Sequence, residues 1–217
     1  MINAFIFDID GTLIDSVEAH AKTWVKTFNV FGKKIELAEA KKLIGMGGDQ
    51  FLSSYFSKDD LEKNEEKIEK YRSDLLMKEY LQQIKPFPKV RELFKKIKGG
   101  GKKIVLASSA RKEEVEAYKK IAAIEGLIDE ETSTDDAEES KPEPDIFQAA
   151  LQKLKKIEKN HIVVIGDTPY DAIAAKKVDL KIIGVLTGGW TREKLLQTGC
   201  SKVYRDIAEI YENYESL

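Results

Sequence analysis

The sequence predicts an α/β fold, an open and largely parallel sheet carrying an inserted all-helical segment, and three observations lead there. Short, uninterrupted, β-branched apolar runs recur along the chain. Amphipathic stretches separate them, and the alternation fails over one long interval near the N-terminus. Runs of four to eight such residues suit strands buried on both faces, and helices between them make the sheet parallel. In order, "AFIFD" (4–8) is the first strand. From about Asp15 to Ile84 no strand pattern occurs. There Ser16 is placed to cap a helix that turns Ala21, Trp24, Val25 and Phe28 inward, and Leu61, Ile68, Tyr71 and Leu75 form a stripe on a long charged helix. "KPFPKV" (85–90) resists continuing a helix and marks the return to the sheet layer. The "GGG" at 99–101 is a helix stop and turn before "KIVLA" (103–107). The acidic stretch 128–140 reads as a solvated connection with room for one short strand. "HIVVIGD" (161–167), "KIIGVL" (181–186) and "KVY" (202–204) complete a Rossmann-like sheet. The expected division is therefore an α/β core of residues 1–14 and 85–217 with a helical cap of residues 15–84.

Composition narrows the function classes. Of 217 residues, 42% are apolar, enough for a substantial core. Lys and Arg total 36 against 38 Asp and Glu, a balance without the positive field that nucleic acid or an anionic membrane would favour. The expected partner is a small phosphorylated metabolite, with no nucleic acid and no membrane. Cys200 is the only cysteine, which excludes an intrachain disulfide and a cysteine zinc site. The start, "MINAFIFDID", lacks a basic leader and an extended apolar run. A cytoplasmic protein is expected.

Ligands of open α/β sheets collect at the carboxyl ends of the strands, and four such ends carry suggestive residues. Asp8 and Asp10 follow the first run at i and i+2, spacing that aims both carboxylates to one side. Carboxylates crowded together call for a cation or a shared proton. Gly11 permits a tight turn, and Thr12 can hold an aspartate by hydrogen bond. Ser108 and Ser109 follow the second run, where hydroxyls and nearby N–H groups suit an anion. Lys141 precedes Pro142, stands outside any helix and supplies a positive charge. "GDTPYD" (166–171) closes the run at 161–167: Thr168 suits a cap, Pro169 a first helical position, and Asp167 and Asp171 lie together. The four aspartates offer hard oxygen ligands for Mg²⁺.

With "DIDGT" (8–12), Ser108, Lys141 and "GDTPYD" in this order, the chain resembles the haloacid dehalogenase superfamily over essentially its whole length. The resemblance implies that Asp8 is the nucleophile on phosphorus and Asp10 the acid and base. It further implies that Ser108, Ser109 and Lys141 hold phosphoryl oxygens, and that Mg²⁺ is bound by Asp8, the Asp10 backbone carbonyl and Asp167, with Thr12 and Asp171 in support. A phosphoryl group repels a carboxylate nucleophile, so a cation and a lysine must offset that repulsion.

Asp10 argues against a dehalogenase, because a departing halide needs no proton. The cap opening, "DSVEAHAKTW" (15–24), is similar to that of both phosphoglycolate-type phosphatases and β-phosphoglucomutases, so His20 does not separate them. In "LIGMGGDQFL" (43–52), Ile44 and Gly48 stand where sugar mutases of the family place a Lys and an Arg, which favours hydrolysis. Gly47, Gly48, Asp49 and Gln50 are candidate substrate contacts from the cap. His20 is a candidate aid to acid–base control, while Trp24 and Trp190 read as packing residues. The expected activity is a Mg²⁺-dependent phosphatase acting on a small phosphomonoester through an aspartyl-phosphate. A sugar phosphomutase is the alternative, and a non-catalytic binding module on the same scaffold a more distant one.

Overall fold

The computed structural model describes residues 1–217. In chain order, strand β1 (Ala4–Phe7) and a two-residue β2 (Ile14–Asp15) lead into helices α1 (Val17–Val30), α2 (Leu37–Leu43), α3 (Gly48–Ser53) and α4 (Lys58–Leu75). Helix α4 runs on through a π turn at Leu76–Tyr80. Strand β3 (Lys85–Pro86) then pairs antiparallel with β2, so entry to and exit from the helical insertion lie side by side. There follow α5 (Val90–Gly99), β4 (Lys103–Ala107), α6 (Lys112–Ala122), β5 (Glu130–Thr132), α7 (Asp145–Lys153), β6 (Ile162–Gly166) and α8 (Pro169–Lys177). The chain closes with β7 (Lys181–Val185), α9 (Arg192–Thr198), β8 (Lys202–Tyr204) and α10 (Ile207–Glu212).

Six strands form one sheet in the order β5-β4-β1-β6-β7-β8, with every pairing parallel. The five expected runs are all strands, and the acidic connection contributes β5. Alternate residues face opposite layers, as the strand period demands. Phe5, Phe7, Leu106, Val163 and Ile183 join α5, α6 and α10 in one core. Ala4, Ile6, Val105, Val164 and Ile182 join α7, α8 and α9 in the other. The sheet is thus covered on both faces, which is why β1 and β6 are apolar throughout and β4 and β7 are apolar after an exposed first lysine, while the edge strands β5 and β8 keep polar residues.

The inserted helices hold a third core of Trp24, Phe28, Phe51, Phe56 and Ile68 among others. Their ends, through Ala19, Leu76 and Ile84, pack into the main core. Two local expectations differ. Tyr71 is exposed and Arg72 is buried in its place, because Arg72 follows Ile68 by four residues and so continues the inward row. Ser16 stands before α1 without capping it; its hydroxyl is spent on Asp10.

Candidate active site

β1 and β6 are adjacent at the sheet centre, where the chain order reverses, and their carboxyl ends set down Asp8 and Asp167. The Asp8 amide donates to the Ile165 carbonyl (2.9 Å), which ties the first residue beyond β1 to its neighbour strand. The chain then turns tightly, with Gly11 donating to Ile14 and Leu13 to Ile9. Gly11 has φ +78°, and a Cβ there would lie 2.4 Å from Asp167 Oδ2. Glycine is needed on both counts.

Asp8 is buried, with Oδ1 2.5 Å from Lys141 Nζ and Oδ2 3.0 Å from the Thr12 hydroxyl. Thr12 Oγ1 is also 2.7 Å from Asp167 Oδ1. Lys141 Nζ completes its contacts with Asp171 Oδ1 (2.8 Å) and the Ala107 carbonyl (3.2 Å). Asp171 is itself fixed by the α8 capping box, its Oδ2 accepting from the Thr168 amide and hydroxyl. The bond between Lys141 and Pro142 is cis. Carboxylate oxygens of Asp8, Asp167 and Asp171 all lie within 4.8 Å of one another, and Asp167 Oδ2 has no partner. Burial, opposed by Lys141 and reinforced by Asp171, pushes the Asp8 carboxyl up to about 7. Burial and the charges of Asp8 and Asp171 push Asp167 well above the carboxylate range. Three buried carboxylates with an orphaned oxygen fit a hard divalent cation, which would relieve that repulsion. The Asp10 side chain is not in this cluster.

Asp10 Oδ1 instead accepts from Ser16 Oγ (2.5 Å) and faces His20 Nε2 (2.8 Å). Burial would raise its carboxyl, but His20 and Ser16 outweigh burial and hold it below the usual range. Arg72 Nη1 lies 3.3 Å from His20 Nδ1. A guanidinium only donates, so Nδ1 accepts, and Nε2 carries the proton directed at Asp10. Arg72 pairs in turn with Glu114 (3.0 Å) and Glu69 (3.3 Å), while Ser73 donates to Glu114 and the Tyr118 hydroxyl lies 2.9 Å from His20 Nε2. Sequence reasoning missed Arg72, Glu114 and Tyr118. The available signal was a polar residue at an inward position of an amphipathic helix.

A cavity of about 250 Å³ opens over these groups, lined by Asp8, Asp10, His20, Ser108 and Ser109 from the expected set. Gly48 and Asp49 line it too; Gly47 and Gln50 do not. Gln50 donates to Asp49 Oδ2 (3.4 Å), and a Cβ on Gly47 would strike Ser140. The glycine loop is thus seated on the core loops. Asp49 Oδ2 accepts from the Ser140 amide (3.1 Å), and Tyr170 donates to the Lys42 carbonyl (2.9 Å). Ser108 Oγ accepts from the Ala110 amide (3.0 Å), and Ser109 Oγ is buried without a partner. Lys141, Asp167, Thr12 and Asp171 lie outside the cavity lining. Trp24 packs on Phe51 and under the Arg72 guanidinium, yet also lines the cavity; Trp190 packs against Tyr170.

The family model for haloacid dehalogenase-like hydrolases matches residues 5–185, and the chain belongs to that family. A putative pyrophosphatase from Caldanaerobacter subterraneus is 31% identical over 185 residues, covering 85% of this chain and 81% of its own. A hydrolase from Pseudomonas syringae superposes with a TM-score of 0.89 at 25% identity, over 99% of this chain and 98% of the other. A putative β-phosphoglucomutase from Bacteroides vulgatus shares the fold with a TM-score of 0.86 at 21% identity, over 99% and 88% of the two chains. The chain is accordingly an enzyme of the hydrolase class, and no helix is long and apolar enough to cross a membrane.

Proposed function

We propose that this hydrolase is a Mg²⁺-dependent phosphatase that cleaves a small phosphomonoester through an aspartyl-phosphate on Asp8. The observation that carries this reading is the Asp8 carboxylate, lining the cavity while Lys141 and Thr12 fix its two oxygens. A carboxylate held rigidly by both oxygens loses little orientation on attack. An Asp8 oxygen bonds to phosphorus as the ester oxygen leaves, and Asp10, once protonated, gives that oxygen its proton. Asp10 then takes a proton from water, which attacks phosphorus and releases Asp8 and inorganic phosphate. His20 directs its Nε2 proton at Asp10 and so orients the carboxylate between the two steps. Asp8, Asp167 and the Asp10 carbonyl are the proposed Mg²⁺ ligands, with Asp171 in support; when bound, the ion offsets the repulsion between nucleophile and phosphoryl oxygens. Ser108 and Ser109 are the proposed phosphoryl contacts from the cavity wall. Lys141 would reach a phosphoryl oxygen only by giving up one of its three present partners, so its first task is to hold Asp8.

Residues 15–84 are proposed to work as a cap on a core of residues 1–14 and 85–217, closing to exclude bulk water. The cap wall favours hydrolysis over a phosphomutase. Ile44 and Gly48 both line the cavity and neither offers a cation for a second phosphate. The single buried cysteine suits a reducing cytoplasm. The test is inorganic phosphate release from a panel of small phosphomonoesters with and without Mg²⁺, with sugar-phosphate isomers followed in parallel. Metal-dependent release supports the phosphatase, whereas isomer formation without net release would make the protein a mutase.

A further inference from the structure

The wall that the inserted helices present to the cavity has spare hydrogen-bonding capacity of a particular kind. Three buried atoms on it have no partner: Asp49 Oδ1, Glu69 Oε1 and Arg72 Nε. The rest of each group is engaged. Asp49 Oδ2 accepts from Ser140, Glu69 Oε2 accepts from Arg72 Nη2, and Arg72 Nη1 donates to Glu114 and His20. Arg72 is only 5% exposed, and its Nε–H finds no acceptor among the side chains packed around it. A buried polar atom left unpaired is costly, and a bound ligand can relieve that cost. Gly48 adds to the pattern, since a Cβ there would fall 1.4 Å from Glu69 Oε1 and crowd this carboxylate.

Two spare acceptors and one spare donor define the chemistry of the occupant. A hydroxyl both donates and accepts, so it can serve a carboxylate and the guanidinium Nε–H together. An ammonium group only donates and would leave Nε unpaired. A second phosphate or a carboxylate only accepts, and it would enter beside Asp49, Glu65, Glu69, Glu114 and Glu138, five lining carboxylates against the guanidinium groups of Arg72 and Arg111. Arg72 is already neutralised by Glu69 and Glu114. The cavity, about 250 Å³, is smaller than the roughly 300–1,000 Å³ of ordinary ligand pockets, which leaves room for a leaving group of few carbons.

We propose that Asp49, Glu69 and Arg72 form the leaving-group subsite, and that it selects a small, uncharged, polyhydroxylated phosphomonoester against any substrate whose leaving group carries a second negative charge. The proposal rests on the phosphatase reading above and divides its substrates by charge. It sets this chain apart from what the names of its pyrophosphatase relatives imply for those proteins.

The test is kcat/KM with Mg²⁺ for glycerol phosphate and a tetrose phosphate, for phosphoethanolamine, and for phosphoglycolate and pyrophosphate, in the wild type, Glu69→Gln, Asp49→Asn and Asp8→Asn. The expected result is that the polyol phosphates exceed both anionic substrates by about 100-fold or more, with phosphoethanolamine between them. Glu69→Gln and Asp49→Asn should each shrink the polyol-to-anion ratio by about tenfold, chiefly through KM. Pyrophosphate or phosphoglycolate turned over as well as the polyol phosphates, with Asp8→Asn inactive, would overturn the subsite and leave the phosphatase reading intact. A preference for phosphoethanolamine would likewise overturn it. Activity retained in Asp8→Asn, or no cleavage of any compound, would overturn both. The wild-type ranking decides the matter even if a subsite variant fails to fold.

Discussion

In the proposed reaction Asp8 must act as an anion in a place that disfavours anions. It is buried beside Asp167 and Asp171, and only Lys141 offsets them directly. A carboxyl raised to about 7 in the folded chain is uncharged there at pH values where the unfolded chain has already lost its proton. Below about pH 4 both states hold the proton and nothing is lost. As pH rises from about 4 through about 7, the folded state must give up a proton against burial and like charge, so the metal-free protein loses stability. Asp167 acts in the same direction. Asp10, held below its usual range, acts oppositely, but its contribution is complete above about pH 5. Metal-free protein should therefore melt at a lower temperature at about pH 8 than at about pH 5.5, and Mg²⁺ should raise the melting temperature more at the higher pH. Differential scanning fluorimetry at the two pH values, with and without Mg²⁺, checks this. An equal Mg²⁺ effect at both would mean that these carboxylates are not the ligands.

The elements divide into those the sequence announced and those it did not. The strands β1, β4, β6 and β7 were legible because burial on both faces leaves little place for a polar residue beyond a leading lysine, and the short edge strand β8 because it follows the same alternation of strand and helix. Thr168 as the cap of α8 with Pro169 at its first position was legible because that chemistry is local; the return bond from Asp171 that closes a capping box was not read. The β2 and β3 pair was not, since two residues have no period and their pairing spans the whole insertion. Arg72, Glu114 and Tyr118 were hidden because a charged residue in a charged helix reads as solvated, and only the packing of α4 on α6 buries it. The glycine loop before α3 was noticed, but its purpose is largely docking. Gly45 has φ +93°, and a Cβ there would meet Thr168 Cγ2 at 2.5 Å. Gly45→Ala should cost about 1–3 kcal/mol through the left-handed backbone and the clash. Because the clash lies between the insertion and the α8 loop, kcat/KM should fall by about tenfold or more. Chemical denaturation and steady-state kinetics together check it, and an undisturbed kcat/KM would mean that the loop need not seat for turnover.

At the scale of the molecule, a layer of helices is inserted through one narrow two-strand stalk and lies over the crevice at the sheet centre. What joins the two layers across the site is a buried polar chain in which Arg72 and Ser73 of α4 meet Glu114 of α6, and Arg72 meets His20 of α1, which meets Asp10. Such networks are strong when every member is satisfied and weak otherwise. Glu114→Gln should therefore loosen both the seating of the insertion and the orientation of His20. The expected cost is about 1–3 kcal/mol in stability. The expected kinetic effect is about a tenfold loss in kcat, with a shifted acid limb of the pH–rate profile, because Asp10 would lose its positioned donor. An unchanged pH profile beside a lowered stability would show the pair to be purely structural. In the proposed mechanism the sheet supplies the nucleophile and the acidic cluster, and the helical layer supplies the histidine that orients Asp10 and the leaving-group wall.

The central claim is that phosphorus becomes bonded to Asp8. The most direct measurement is to mix the enzyme with Mg²⁺ and a turned-over phosphomonoester, quench in acid within the first turnover, and map the peptides by mass spectrometry. The account predicts the added mass of one phosphoryl group on the peptide containing Asp8, lost on treatment with hydroxylamine. It predicts no such adduct in Asp8→Asn, whose turnover should fall by at least about 10⁴-fold with the fold retained. A phosphoryl group on any other residue, or full turnover by Asp8→Asn, would contradict it.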